Sequence, residues 1–267
     1  MTRLFSALLA GVLVLLALSV ARPRASQTST PSTTAPRATA ACPPSGRGHE
    51  GAPAAGSDEA MRNQRKRTIP KGPAAQAKLL TLGDFKSLQA QVDAQFRGEE
   101  RPIFTGNRSS LQNLKIAGGT ISEGDVVRVV GFLAAARAEG AESVNCESLT
   151  VVDFHINVGP TKTATEFQGI VVEIIPQNPP TGLNSTHALE KALTKVVTGK
   201  MMVMVVGQLM LDNEHLVNDD PAHPKGSNPK RISTWEVHPV TTFFVCQRAT
   251  CDPAQSSQWT PLQGLKS

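Results

Sequence analysis

Between residues 126 and 245 the chain follows one order: three β-type runs, one helical stretch, then two more β-type runs. The first run, VVRVVGFL, spans 126–133, and the second, VVDFHINV at 151–158, alternates cleanly in polarity. The third, GIVVEII at 169–175, is closed by Pro176, which cannot donate to a ladder. Thr186 can cap the helix, with Glu190 near its first turn. Leu189, Leu193, Val196 and Val197 form its apolar stripe, and Gly199 stops it. Residues 201–211 and 233–245 supply the last two runs. Gly131 and Gly207 occupy matching places in the first and fourth runs, where a coiled strand bends or backbones approach closely.

This order matches the OB-fold, a five-stranded Greek-key barrel that binds ligands on strands 2–3 and the neighbouring loops. The expected fold class is therefore mainly β: an OB-fold-like barrel with one helix between strands 3 and 4. An open α+β sandwich with the same elements is the rival. Upstream, Phe85, Leu88, Val92 and Phe96 are spaced for one helix face, and Asp84 is expected as its N-cap.

The start of the chain reads as an address. Arg3 precedes an apolar run at 4–21, interrupted only by Ser6, Gly11 and Ser19. Small residues at Ser19 and Ala21 suit cleavage after Ala21, so export with a removable signal peptide is expected. An uncleaved anchor is the alternative, since eighteen residues at helical rise reach about 27 Å. Residues 22–75 read as a flexible Ser/Thr/Pro/Ala-rich and basic linker. Its run RNQRKR at 62–67 is either solvated linker or a patch for anionic lipid, cell-wall polymer or nucleic acid. A short helical and irregular lead-in is expected over 76–117, the barrel over 118–251 and a tail over 252–267.

The four cysteines, Cys42, Cys146, Cys246 and Cys251, suit two disulfides in an exported chain, and three pairings are open. One of these bridges would tie Cys42 back to the domain. Cys146 beside Asn145 as a nucleophile is the weaker alternative.

The formal charge of +5 invites a nucleic-acid reading until it is located. Residues 1–117 hold 16 Lys and Arg against 7 Asp and Glu, whereas residues 118–251 hold 10 against 14. The barrel region is acidic, and only 4% of the chain is aromatic, so a stacking groove for nucleic acid is not expected there. A cation or a neutral ligand fits better. Walker, Rossmann and GxSxG motifs are absent from the sequence.

Period two puts Asp153, His155 and Asn157 on one face of the second strand. Glu173 lies in the third, Glu236 and His238 share a face of the fifth, and Asp212, Glu214 and His215 stand where the fourth runs into its loop. Asp153, His155, Asn157, His215 and His238 are the ligand-binding candidates. Asp153, His155, Asp212, His215 and His238 are the metal candidates, because imidazole with carboxylate suits a divalent ion. Glu173, Glu214 and Glu236 are the candidate general bases for water activated by such an ion. Two plainer readings stand beside these: a wet sheet face, or a buried network in which His238 and Glu236 bond each other or the backbone. His49, His187 and His223 are expected at the surface. Asp219 and Asp220 in the long fourth loop offer a weak calcium motif.

The strings LDNEH at 211–215 and WEVHPV at 235–240, with Asn145, Cys146, Asp153 and His155, resemble a family of exported bacterial OB-like proteins of uncharacterised function. The likeness covers roughly 118–251, and 63–70 fits it too. It implies fold and compartment and transfers no activity. Three functions follow as expectations. The first is an exported, periplasmic or secreted binding module for an oligosaccharide, envelope polymer or protein. The second is a metal-dependent phosphodiesterase or nuclease, and the third is nucleic-acid binding. Membrane contact is expected only through an uncleaved N-terminal segment.

Overall fold

The computed structural model describes residues 42–223 and 229–265. The apolar run and the Ser/Thr-rich stretch up to residue 41 lie outside the described residues. Among the described residues no helix is long and apolar enough to cross a membrane.

The chain forms helix α1 (Asp58–Arg67), strand β1 (Lys78–Leu80), helix α2 (Leu82–Gln95) and the hairpin β2 (Leu114–Ile116) and β3 (Gly119–Ile121). The barrel strands follow: β4 (Val126–Ala138), β5 (Phe154–Gly159), β6 (Ile170–Ile174), then helix α3 (Thr186–Thr198), β7 (Met202–Leu211) and β8 (Trp235–Cys246). β4 pairs antiparallel with β5, and β5 with β6. β6 then meets β8 in parallel at Val172 and Val237, β8 pairs antiparallel with β7, and β7 returns antiparallel to β4. The sheet is thereby closed into the five-stranded OB-like barrel, with α3 between its third and fourth strands.

Inward-facing Val127, Val129, Phe154, Ile156, Val158, Ile170, Val172, Val205, Trp235 and Val237 fill one core. Gly131 is required where β4 crosses β5. A Cβ there would stand 2.6 Å from the Val158 side chain and 2.7 Å from the Gly159 carbonyl oxygen. At Gly207 a Cβ would collide with the Pro239 carbonyl. Both glycines mark close backbone approach, as their placement in the pattern implied.

Helix α2 packs Phe85, Leu88 and Val92 on this core. Its N-cap is Thr81 and not Asp84, which was expected in that role. Asp84 is the third helical residue and completes a capping box, its Oδ2 accepting from the Thr81 amide at 2.9 Å.

The largest departure concerns residues 42–75, expected as linker. Residues 58–67 are a helix, with Asn63 and Lys66 each only 2% exposed. Ser57 caps it, Asp58 and Glu59 occupy its first turn, and Arg65, Lys66 and Arg67 its last, a distribution that follows the helix dipole. Its near-total lack of apolar residues hides it from hydrophobic periodicity. Cys42 is bonded to Cys146, across a sequence separation of 104. Loop-closure entropy for a bridge of about 100 residues contributes roughly 4.7 kcal/mol. Cys246 and Cys251 form the second bridge. The expected tail is also structured in part: β9 (Trp259–Pro261) pairs with β8, and Trp259 is buried beside that disulfide.

Candidate functional site

Strands β5 and β6, and β8 over Trp235–Val240, are buried on both faces. Period two sends Ile156, Val172 and Val237 inward and His155, Glu173, Glu236 and His238 outward. Register then assembles the outer group. His155 lies opposite Glu173, and the parallel pairing at Val172 and Val237 sets Glu173 beside Glu236 and His238. The result is a charged cluster on the barrel wall, not a wet sheet face. α1 and the β7–β8 connection cover it.

His238 is at its centre, with no exposure. Its Nδ1 lies 3.1 Å from Glu236 Oε1 and 3.2 Å from Glu173 Oε2, and its Nε2 lies 3.5 Å from Asp153 Oδ2. Burial opposes its charge, yet the Glu173 carboxylate, the bonds to Asp153 and Glu236, and the Glu236 charge push its pKa up to about 10. His155 Nδ1 reaches Glu139 at 3.0 Å and Glu173 at 3.4 Å. These carboxylates raise the His155 pKa against its own desolvation. Glu173 is held below the usual carboxylate range, again against burial, first by His238. Arg231, from the β7–β8 connection, closes on Glu236 at 3.1 Å. Asn145 donates to Asp153 Oδ1 at 2.8 Å.

From α1, Lys66 enters the same wall. Its Nζ lies 3.1 Å from Asp212 Oδ2 and 3.6 Å from Glu142 Oε1. Burial disfavours the ammonium, but Asp212 and Glu142 hold its pKa well above the ordinary value. Asp212 is correspondingly held well below, against burial, by Lys66 and then by His215, whose Nδ1 is 3.1 Å away.

The structure therefore divides the sequence candidates. Asp153, Glu173, Glu236 and His238 converge, and His155 joins them through Glu173. Of the metal candidates, Asp153 and His238 share one group with Glu173, each offering a ligand atom within 4.8 Å of the others. Asp212 and His215 form a separate pair around Lys66, so the five do not make one site. Asn157 stands apart. It donates to the carbonyls of Lys230 at 2.7 Å and Glu166 at 3.3 Å, fastening two loops. Glu214 is more than half exposed and pairs with Arg62 at 3.0 Å. His49 and His223 are exposed, as expected, each beside a carboxylate. Asp220 is paired with His223 at 3.3 Å. Asn145 and Cys146 serve structure, since Cys146 is in a disulfide.

A cleft of about 1200 Å³ opens next to this wall, between α1 and residues 142–147. Lys66 lies at its inner side, so the cleft and the buried cluster meet at that ammonium. Glu142 and His215 also line it. Burial, which outweighs the opposing pull of Lys66, pushes the Glu142 pKa up to about 7.

Glu142 and Arg231 were not singled out by sequence reasoning, and Arg62 and Lys66 entered only as members of the basic run at 62–67. The run at 62–67 is not solvated linker, because its basic side chains are engaged within the chain, Arg67 on the Cys42 and Pro43 carbonyls. Arg62 pairs with Asp58 and Glu214, Arg65 approaches Glu123 at 3.8 Å, and Lys66 binds Asp212. One signal for it was available. Ser57, then Asp58 and Glu59, then Arg65, Lys66 and Arg67 give the N-cap and charge order of a short helix.

No family model and no curated protein matches this chain. Among solved structures, a chain from the crystal structure of yeast Stn1 and Ten1 is similar to it at 11% identity and a TM-score of 0.29. The similarity spans 65% of this chain and 65% of that one.

Proposed function

We propose that this is an exported, bacterial OB-type binding module whose ligand lies in the cleft beside α1 and is a cationic polypeptide segment. The supporting observation is the cleft lining. Glu50, Asp58, Glu59, Glu142, Glu147 and Glu214 line it, against Arg62, Lys66 and Arg101. Arg62 pairs with Asp58 and Glu214 and Lys66 with Glu142, all of the same lining, which leaves Glu50, Glu59 and Glu147 against Arg101. Ile103, 72% exposed, adds an apolar contact at the same cleft. Among the described residues no Phe or Trp lines it, which disfavours an oligosaccharide or a stacked nucleic acid relative to a polypeptide. The two disulfides suit an oxidising compartment outside the cytoplasm.

The test is an NMR titration of the oxidised protein with a lysine-rich peptide, a chito-oligosaccharide and single-stranded DNA. The peptide should shift amides at Glu59, Ile103 and Glu147 and lose affinity with salt. Shifts produced only by the sugar or the DNA would replace the ligand class, and none in the cleft would remove the reading. A metal-dependent phosphodiesterase is the second reading, favoured by the convergence of Asp153, Glu173 and His238. Its base, Glu173 or Glu236, would have to work at a position sealed from water. Turnover of a phosphodiester that stops with chelator would support it.

A further inference from the structure

The charged wall is out of balance. Asp153, Glu173, Glu236 and Asp212 contribute four carboxylates, each at most 2% exposed. Lys66 and Arg231 contribute the two permanent cations buried with them. Two negative charges remain in a medium where isolated charge is costly. Protons on His155 and His238 can balance the sum. Asp153 Oδ2, Glu173 Oε2 and His238 Nε2 are then buried in ion-pair contacts centred on the imidazole, at 3.2–3.5 Å and without hydrogen-bond geometry. Such contacts are a poor substitute for the hydrogen bonds that buried polar atoms usually make.

The geometry points to a structural divalent-cation site formed by Asp153, Glu173 and His238. One divalent ion, taking the place of the two imidazole protons, supplies the same two charges and gives both carboxylate oxygens and the freed imidazole lone pair an acceptor. Asp153 Oδ2 and His238 Nε2 are already 3.5 Å apart, and a Glu173 oxygen lies within 4.8 Å of both residues' ligand atoms. Ligands about 2.0–2.2 Å from a tetrahedral zinc ion stand roughly 3.3–3.6 Å apart, a spacing that Asp153 and His238 already have and to which Glu173 closes from within 4.8 Å. Two carboxylate oxygens with one imidazole nitrogen suit zinc, or a small oxygen-preferring ion such as manganese, better than calcium, which takes six to eight oxygen ligands. Neighbouring groups already orient the ligands, Asn145 on Asp153 and His155 on Glu173, as outer partners do around metals. Complete burial makes the role structural, with folding and metal affinity coupled. The site is independent of the peptide reading, because its residues lie behind Lys66 and do not line the cleft.

The test uses the full oxidised chain, stripped with chelator, desalted and given zinc chloride or manganese chloride alone. One equivalent should be retained by elemental analysis, and the thermal midpoint should rise with metal concentration. Asp153→Asn, nearly isosteric, should weaken binding at least tenfold, while His215→Gln at the separate pair should leave it unchanged. Should Asp153→Asn fail to fold, Glu173→Gln is read in its place, and visible absorption of the cobalt-loaded wild type reports nitrogen and oxygen ligation. No retained metal with an unmoved midpoint overturns the site, as does metal held equally well by the Asp153 and Glu173 variants. Peptide titration of the stripped protein separates the two proposals, because loss of the metal site leaves cleft binding standing.

Discussion

The inner and outer faces of β5, β6 and the Trp235–Val240 part of β8 are equally dry and are held by opposite chemistry. Inside, Ile156, Val172 and Val237 gain from removal of apolar surface and from dispersion, which need no particular partner. Outside, His155, Glu173, Glu236 and His238 are tolerated only because specific opposite charges reach them. Losing one inner side chain leaves a void that the core partly closes. Losing one outer partner leaves a charge that nothing replaces. Burial measures how far water has been removed, and the identity of the neighbours decides what that removal does.

The largest expected effect comes from breaking the outer face at its lid. Lys66→Met should cost about 3–5 kcal/mol at neutral pH, since it strands Asp212 and Glu142 without their cation. Asp212 is held well below its ordinary pKa partly by Lys66, so this stability is present above that value and vanishes on acidification. Denaturant unfolding at pH 7 and at pH 2, below the ordinary value of 3.8, measures the difference, and equal losses at both would show that charge pairing is not the cause. On the inner face, Ile156→Ala should cost about 2–5 kcal/mol through its cavity, independent of pH over the same range. A pH-dependent loss there would mean that the two faces are coupled through the strand. The smallest effect belongs to the cleft. The fold holds Glu142 above its ordinary pKa of 4.5, at about 7, so it binds that proton more tightly than the unfolded chain does. Stability tied to Glu142 is thus complete below pH 4.5 and declines as pH rises through 7. Glu142→Gln should remove that decline, a gain on the order of 1–3 kcal/mol at pH 8 relative to pH 4. A variant whose pH profile matches the wild type would place its titration elsewhere.

Much of the barrel was legible because strand order and period two are local properties. Gly131 and Gly207 fell where backbones meet, and α3 closed at Gly199 as its stripe implied. The site was legible only as a list. Asp153, Glu173, Glu236 and His238 could be put on outward faces, and His215 could not be separated from them by spacing. α1 was missed because a helix paired almost wholly through charge leaves no hydrophobic period to find. Asn157 was grouped with Asp153 and His155 by alternation, while the loops it fastens come from distant sequence.

By itself the sequence determined the order of elements, the facing of each strand residue and the acidic character of the barrel, because these follow from neighbours along the chain. The tertiary structure alone decided that the polar face is sealed, that Lys66 seals it, and that Cys42 bonds Cys146. Periodicity tells which way a side chain points, whereas what covers it depends on segments packed from far along the chain.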